Sequence, residues 1–174
     1  MVLVFGIGDY VICGNKGVCT VENITTLNIS GVDKDKMYYI LKPVYTSGST
    51  VYVPVDSSGE SMRRVLEPDE AKKLIGMMPG IPPLMITEEK LSEQMYRECI
   101  RTNDCKELVK IIKTIYGRKK KRIQAGRKVT AVDEKYCHLA EDHLYGELAV
   151  VLDMDRKEVG EYISEVINGR EVMA

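Results

Sequence analysis

Short apolar runs, separated by turn residues, fill the first third of the chain. The runs are rich in β-branched and aromatic side chains, which favour strands, and the residues between them, such as 14–17 and 47–49, favour tight turns. The predicted strands cover residues 11–13, 18–24, 37–41, 50–55 and 63–65. Five short strands joined in this way indicate a small closed or nearly closed β-barrel, because closure removes exposed strand edges.

Apolar residues recur at helical spacing from about Leu66 onwards. Pro68 is expected in the first turn of the first helix, and that helix cannot continue through Pro79. The remaining predicted caps and ends are Thr87, Asn103 or Asp104, Gly126, Thr130 with Asp133, and Asp153 or Asp155. We therefore expect an α+β protein with two domains: a β-rich domain at residues 1–65 and an all-α domain of about five helices at residues 66–174.

Residues 108–132, called the basic segment below, depart from the charge balance of the chain. The segment carries +9 without any Asp or Glu, whereas the whole chain carries −1. Its cations are Lys110, Lys113, Arg118, Lys119, Lys120, Lys121, Arg122, Arg127 and Lys128. Leu108, Ile111, Ile112 and Ile115 repeat at the spacing of a helix with one buried face. A cationic cluster at the end of a packed helix favours a polyanionic ligand such as nucleic acid.

A second interpretation of the basic segment needs no ligand. Residues 133–174 have a net charge of −7, so their helices could pair with the cations and leave little positive potential at the surface. Basic residues near a helix C-terminus also complement the helix dipole. Two hypotheses therefore stay open: a nucleic-acid-binding surface, or a protein interaction module whose basic cluster is neutralised internally.

Other classes of site find little support in the sequence. The five cysteines form no C-x-x-C pair, and His138 and His143 point apart on a helix, so neither a disulfide framework nor a metal site is expected. Glycine-rich phosphate-binding motifs and sets of nucleophile and base are absent, and no apolar run is long enough for a membrane span. We expect a cytoplasmic protein that is not an enzyme and has no cofactor or metal.

Several motifs follow one another in an order that covers nearly the whole chain. In the first part they are F-G-I-G-D-Y-V (5–11), Gly17, Y-Y-I-L-K-P (38–43) and V-Y-V-P-V (51–55). In the second part they are Y-R-E-C-I (96–100), L-V-K-I-I-K-T-I-Y (108–116), R-K-K-K-R (118–122) and A-E-D-H-L-Y-G-E-L-A (140–149). With this arrangement the chain resembles the CarD/CdnL family of bacterial transcription regulators, whose N-terminal domain is shared with transcription-repair coupling factors.

The resemblance implies a Tudor/SH3-like barrel that binds the RNA polymerase β subunit. It also implies a helical domain that contacts promoter DNA near the upstream edge of the transcription bubble and so stabilises the open complex; we expect the chain to act as a monomer. The expected polymerase-binding residues are Leu27, Tyr39, Tyr52, Val53 and Pro54. The expected DNA-binding residues are Arg97, Arg118, Lys119, Lys120, Lys121, Arg122, Arg127, Lys128 and Lys135.

The chain departs from the family pattern at two places. Leu27 and Tyr52 match positions where some relatives carry polymerase-contacting arginines, so different contacts are expected here. Relatives often carry a tryptophan at the start of the second helix of the helical domain, where it wedges beside unpaired bases. This chain has no tryptophan, and the matching position falls near Ser92.

Overall fold

The chain divides into a strand-rich unit, Met1–Val65, and a helical unit, Leu66–Ala174. The structure is a computed structural model that describes residues 4–173, apart from the side chains of Asn15 and of residues 170–173. Its strands precede its long helices in the chain. The α+β class expected from the sequence is therefore confirmed.

The strand-rich unit contains one antiparallel sheet of five strands in the order β4-β3-β2-β1-β5. The strands are β1 (Tyr10–Cys13), β2 (Gly17–Thr26), β3 (Met37–Pro43), β4 (Val51–Pro54) and β5 (Met62–Arg64). A short helix that the sequence pattern did not predict, α1 (Ser58–Ser61), leads into β5. The register of β2 against β3 shifts between Val21 and Asn23, where a bulge increases the local twist.

The sheet is open within residues 4–173, so the expected closed or nearly closed barrel is not confirmed. β4 and β5 stand at the two edges of the strand order and are four and three residues long. Strands this short offer few backbone groups for mutual pairing, and shortness also limits unwanted pairing at an exposed edge. Among the described strands, β4 pairs with β3 alone, so its other edge has no strand partner.

One apolar core lies within the strand-rich unit. Val11, Val21 and Leu41 are completely buried there. Phe5 packs edge-on against Tyr39, with ring centroids 5.9 Å apart, and its backbone N–H donates to the Tyr39 hydroxyl at 3.1 Å. Phe5, which precedes β1 in the chain, is thereby attached to the sheet.

Five helices form the second unit in the described part of the chain. They are α2 (Pro68–Met77), α3 (Ser92–Arg101), α4 (Cys105–Gln124), α5 (Ala131–Leu152) and α6 (Arg156–Met173). The predicted apolar face of α4 is confirmed, since Leu108, Ile111, Ile112 and Ile115 are all buried in the core of this unit. Some cations of α4, such as Lys120 and Lys121, are exposed to solvent.

Most of the predicted helix ends agree with the structure. Asp104 caps α4 by accepting a hydrogen bond from the Lys106 N–H at 2.9 Å, and Thr130 caps α5 by accepting from the Asp133 N–H at 3.1 Å. Thr87 does not begin a helix: a 3-10 turn, Glu89–Leu91, comes first, and α3 begins only at Ser92. That turn places Glu89 beside α4, as described below.

Candidate nucleic-acid interface

The C-terminal end of α4 has the geometry of a common type of helix C-cap. Gly126 has a φ of +73°, its N–H donates to the Ile123 carbonyl at 3.0 Å, and the Arg127 N–H donates to the Arg122 carbonyl at 2.8 Å. These two bonds form a Schellman motif, which usually has glycine at the left-handed position. The motif ends the helix as predicted and turns the chain so that Arg127 follows directly after the last turn of α4.

Five cations around this helix end have no acidic partner. They are Lys119, Lys120, Lys121, Arg127 and Lys128, called the unpaired cluster below. Among the described residues, no carboxylate oxygen lies within the 4.0 Å that defines an ion pair with any of them. The Lys119 ammonium lies 5.9 Å from the centre of the Tyr116 ring, a cation–π contact that leaves its charge unbalanced. The unpaired cluster is therefore a concentrated source of positive potential.

Arg118 is different, because it belongs to a buried network. Its Nε donates to Oδ2 of Asp133 at 2.8 Å, and the Tyr96 hydroxyl donates to Oδ1 of the same carboxylate at 2.9 Å. The Asp133 side chain is 1% exposed and that of Arg118 is 18% exposed. Burial, reinforced by the bond to Asp133, raises the pKa of Tyr96, so its hydroxyl stays protonated and donates. Arg118, expected as a DNA contact, thus links α3, α4 and α5.

Glu89 bridges the two arginines of the segment that lie on α4. Its Oε1 accepts a hydrogen bond from Arg118 and lies 3.2 Å from Nη2 of Arg122. Glu89 comes from the turn before α3, so the carboxylate reaches α4 from outside the helix. Arg118 and Arg122 are therefore occupied by acids in the unbound protein, unlike the unpaired cluster.

Arg97 and Lys135 lie together around Tyr136. Arg97 pairs with Glu93 at 2.9 Å and donates to the Tyr136 hydroxyl at 3.2 Å, while the Lys135 ammonium lies 5.3 Å from the Tyr136 ring centre. The hydrogen bond from Arg97 lowers the pKa of the Glu93 carboxyl, so this acid is ionised near neutral pH. The charge of Arg97 is thus balanced by Glu93, whereas the Lys135 ammonium contacts the Tyr136 ring.

The first two cations of the basic segment, Lys110 and Lys113, bind groups within the helical unit. Lys110 pairs with Glu107, 3.0 Å away on the same helix. The Lys113 ammonium donates to the carbonyl oxygens of Met78 at 2.9 Å and Pro79 at 3.1 Å, and so caps the turn after α2. Among the described residues of α5 and α6, Asp133 is the one acid that forms an ion pair with a cation of the basic segment. The acidic helices therefore neutralise little of its charge.

The expected polymerase-binding residues have different degrees of exposure. Tyr39 and Val53 lie in the core of the sheet, so their side chains stabilise the fold and are not available at its surface. Tyr52 is 48% exposed on the edge strand β4, and Leu27 and Pro54 are partly buried. Alternation along β4 explains the difference, because neighbouring side chains of a strand point to opposite faces.

Ser92, which matches the tryptophan position of relatives, does not lie where a wedge could act. Its side chain is 3% exposed, and its hydroxyl donates to the Glu89 carbonyl at 2.7 Å. The neighbouring Leu91 is exposed. The first turn of α3 thus directs the side chain at position 92 towards the protein, and the match of the tryptophan position to a residue near Ser92 stays a prediction.

Two acids of this region escaped the sequence analysis. Glu89 looked like an ordinary acid in a first helical turn, and Asp133 like the second member of a capping box. Their actual partner, Arg118, is 29 and 15 residues away in the chain. Local patterns carry no signal of such pairs, apart from the surplus of cations that had to be balanced somewhere.

Metal-ligand clusters and membrane-spanning helices are absent from residues 4–173. No three His, Cys, Asp or Glu side chains among them lie close enough together to hold a metal ion. Every helix across residues 4–173 is too short or too polar to span a bilayer. The five cysteines are buried and free, and burial raises the pKa of the Cys137 thiol to about 11, so it is protonated near neutral pH.

Comparison with known families assigns the strand-rich unit. Residues 5–66 match the family model of the CarD-like/TRCF RID domain, a match that covers the sheet and ends where the helical unit begins. The resemblance noted from the sequence is confirmed over these residues, and it indicates interaction with RNA polymerase. A search of curated proteins finds no match to the chain.

Proposed function

We propose that this chain, which carries a CarD-like/TRCF RID domain at residues 5–66, is a transcription regulator that binds RNA polymerase and promoter DNA together. The strand-rich unit binds the polymerase, and the helical unit binds DNA. The chain needs no reaction chemistry for this role. It acts by binding the open promoter complex more tightly than the closed one, which shifts the melting equilibrium by the difference in affinity.

The unpaired cluster is the observation that carries the DNA-binding part of the proposal. The whole chain has a net charge of −1, yet five neighbouring cations have no carboxylate partner in the described structure. Cations left unpaired in this way repel one another and favour a ligand with closely spaced negative charges, such as the DNA backbone. Contacts to phosphate position a protein on DNA without reading its sequence.

The edge of β4 supports the proposed polymerase contact. A strand edge offers unpaired N–H and C=O groups, and a partner strand that adds to it gains affinity from backbone hydrogen bonds. Tyr52 projects from this strand into solvent and can cover an added strand with its ring. We propose a strand of the polymerase β subunit as the partner, with a single copy of this chain bound to each polymerase.

The DNA contact is tested by the salt dependence of binding. The change is the double substitution of Lys120→Gln and Lys121→Gln, read by fluorescence anisotropy on a labelled promoter duplex over a series of salt concentrations. We expect the slope of log affinity against log salt to become shallower by roughly 0.9 for each phosphate contact that is lost. The loss is expected to be similar on unrelated duplexes, since phosphates carry no base information.

A matched control comes from α2, which also carries two consecutive lysines. Lys72→Gln with Lys73→Gln removes the same charge from exposed positions of another helix. We expect this variant to keep the wild-type slope. An equal change in both variants would mean that net charge alone governs binding, and would contradict an interface at the end of α4.

The alternative function is a protein interaction module that does not bind DNA. Internal neutralisation, as this alternative requires, does occur at Arg118 and Arg122, which share Glu89. The alternative function predicts that the wild-type chain does not slow the migration of promoter DNA in a gel even at about 50 mM salt, a concentration at which phosphate contacts are strong. Retardation at low salt that disappears at high salt favours the DNA-binding function instead.

A further inference from the structure

We propose that Arg118 and Arg122 form a phosphate-binding site that Glu89 occupies in the unbound protein, and that a DNA backbone phosphate takes this site by displacing the Glu89 carboxylate. The inference rests on the proposed DNA binding and extends it to a specific competitor within the chain. Glu89 thereby lowers the affinity of the helical unit for any anion that cannot displace it.

The geometry around Glu89 is that of a site for a phosphate-like anion. One carboxylate oxygen, Oε1, is held by guanidinium groups from two successive turns of α4, Arg118 and Arg122. Guanidinium groups bind carboxylates and phosphates with the same planar arrangement of donors, so a site built for one accepts the other. A phosphate oxygen at the position of Oε1 keeps both contacts.

Arg118 is held in place without Glu89. Arg118 uses its Nε for Asp133, at 2.8 Å, and presents its Nη2 to Glu89. Asp133 is in turn fixed by the Tyr96 hydroxyl. Because Asp133 and Glu89 bind different nitrogens of Arg118, loss of the Glu89 contact leaves the buried pair intact. The guanidinium therefore stays oriented for the next anion.

Glu89 is the replaceable member of the network. Its side chain is 59% exposed, whereas those of Arg118 and Arg122 are 18% and 26% exposed. It lies in a 3-10 turn of three residues rather than within a long helix. These exposures favour the exchange of the Glu89 carboxylate for a phosphate. The phosphate meets arginines that are already partly shielded from water, which strengthens their attraction, and the released carboxylate becomes hydrated.

The unpaired cluster makes the site part of a larger surface. Lys121 is the lysine of α4 that projects beside the two arginines, about 60° around the helix from Arg118, and Arg127 follows the end of the same helix. Lys119 and Lys120 project from other sides of this last turn and a half, so the positive potential surrounds the helix end. A duplex held by the unpaired lysines brings a high local concentration of phosphate to the site. A single small anion is not held near the site by these lysines, so it competes poorly with Glu89. An extended polyanion is held there and can displace the carboxylate.

The test compares two neighbouring glutamates that differ in what they touch. Glu89→Gln removes the competing charge from the site, while Glu88→Gln removes an equally exposed charge that pairs with Lys90 at 3.5 Å. Both variants raise the net charge of the chain by one. Dissociation constants are measured for the full chain on one promoter duplex at one salt concentration, and thermal unfolding verifies that both variants are folded.

We expect Glu89→Gln to bind DNA about fivefold to tenfold more tightly than Glu88→Gln, the range of a charge interaction of about 1 to 1.4 kcal/mol. In the background of Arg122→Gln the gain from Glu89→Gln should shrink, because half of the site is then missing. Equal affinity of the Glu89→Gln and Glu88→Gln variants overturns the inference and leaves the proposed function standing. Failure of the wild type and of all variants to bind DNA overturns both.

Discussion

The arginine and lysine side chains of the basic segment differ in their surroundings. Arg118 lies in a buried network with Asp133 and Tyr96, whereas Lys120 and Lys121 are exposed and have no acidic partner in the described structure. Arginine suits the first role because its fixed fork of donors can serve two acids at once. Lysine suits the second role as a mobile point charge that follows a phosphate backbone.

This difference predicts opposite effects on stability and binding. Arg118→Gln leaves the Asp133 carboxylate buried without a cation, which should lower the free energy of unfolding by about 3 kcal/mol, the lower end for a broken buried pair because Arg118 is partly exposed. Lys120→Gln should change it by less than about 0.5 kcal/mol, as is usual at exposed positions. Urea denaturation measures both; similar losses in the two variants would contradict the structural role of Arg118.

The sequence predicted which residues are cationic, but not which of them are already paired. The surplus of +9 in the basic segment was plain from composition alone. Whether a given cation meets an acid depends on the packing of α3 and α5 against α4, which brings Glu89 and Asp133 to Arg118. Pairs across elements leave no local pattern, so the balanced and unbalanced cations could not be separated in advance.

At the scale of the elements, α4 is the helix that carries the proposed DNA interface. Its buried face was predicted from spacing because apolar residues must meet a core every three or four positions. Its end was predicted from Gly126, since a left-handed residue after a helix is usually glycine. The start of α3 was not predicted correctly, because Thr87 resembles a cap while the chain actually forms a 3-10 turn first.

Two glycines of this region provide a matched pair of substitutions. Gly126 has a φ of +73°, so Gly126→Ala should destabilise the helical unit by about 1 kcal/mol or more. Gly117 lies exposed within α4, where an added Cβ meets no atom within 4 Å, so Gly117→Ala should stabilise it by up to about 1 kcal/mol. Thermal unfolding measures the two shifts. Shifts of the same sign would contradict the Schellman geometry at the end of α4.

The closed barrel was the element-level prediction that the structure does not confirm. Alternating strands and tight turns predicted the five strands, but closure depends on whether the two end strands are long enough and curved enough to pair. β4 has four residues, fewer than the six predicted at 50–55. β5 has three residues, as many as predicted, but begins one residue earlier than the predicted strand at 63–65. The edge of β4 that this leaves without a strand partner is the surface at which we propose that the polymerase binds.

At the scale of the whole molecule, the two proposed contacts lie on separate units and can be disturbed separately. The strand-rich unit presents Tyr52 on β4, and the helical unit presents the unpaired cluster around the end of α4. A regulator that binds polymerase and DNA together gains affinity from linkage, because the first contact raises the effective concentration of the second site. Loss of the DNA contact should therefore weaken the ternary complex but not the binary complex with polymerase, and loss of the polymerase contact should weaken the ternary complex but not the binary complex with DNA.

Point variants of the full chain can test the two proposed contacts one at a time. Tyr52→Ala should reduce retention of RNA polymerase in a pull-down and leave the affinity for free promoter DNA unchanged, because Tyr52 lies in the strand-rich unit. Lys120→Gln with Lys121→Gln should do the reverse. Tyr10→Ala is the control for Tyr52, since Tyr10 is equally exposed, at 46% against 48%, but lies on the interior strand β1. A loss of polymerase retention in Tyr10→Ala, with Tyr52→Ala unaffected, would move the docking surface away from the β4 edge.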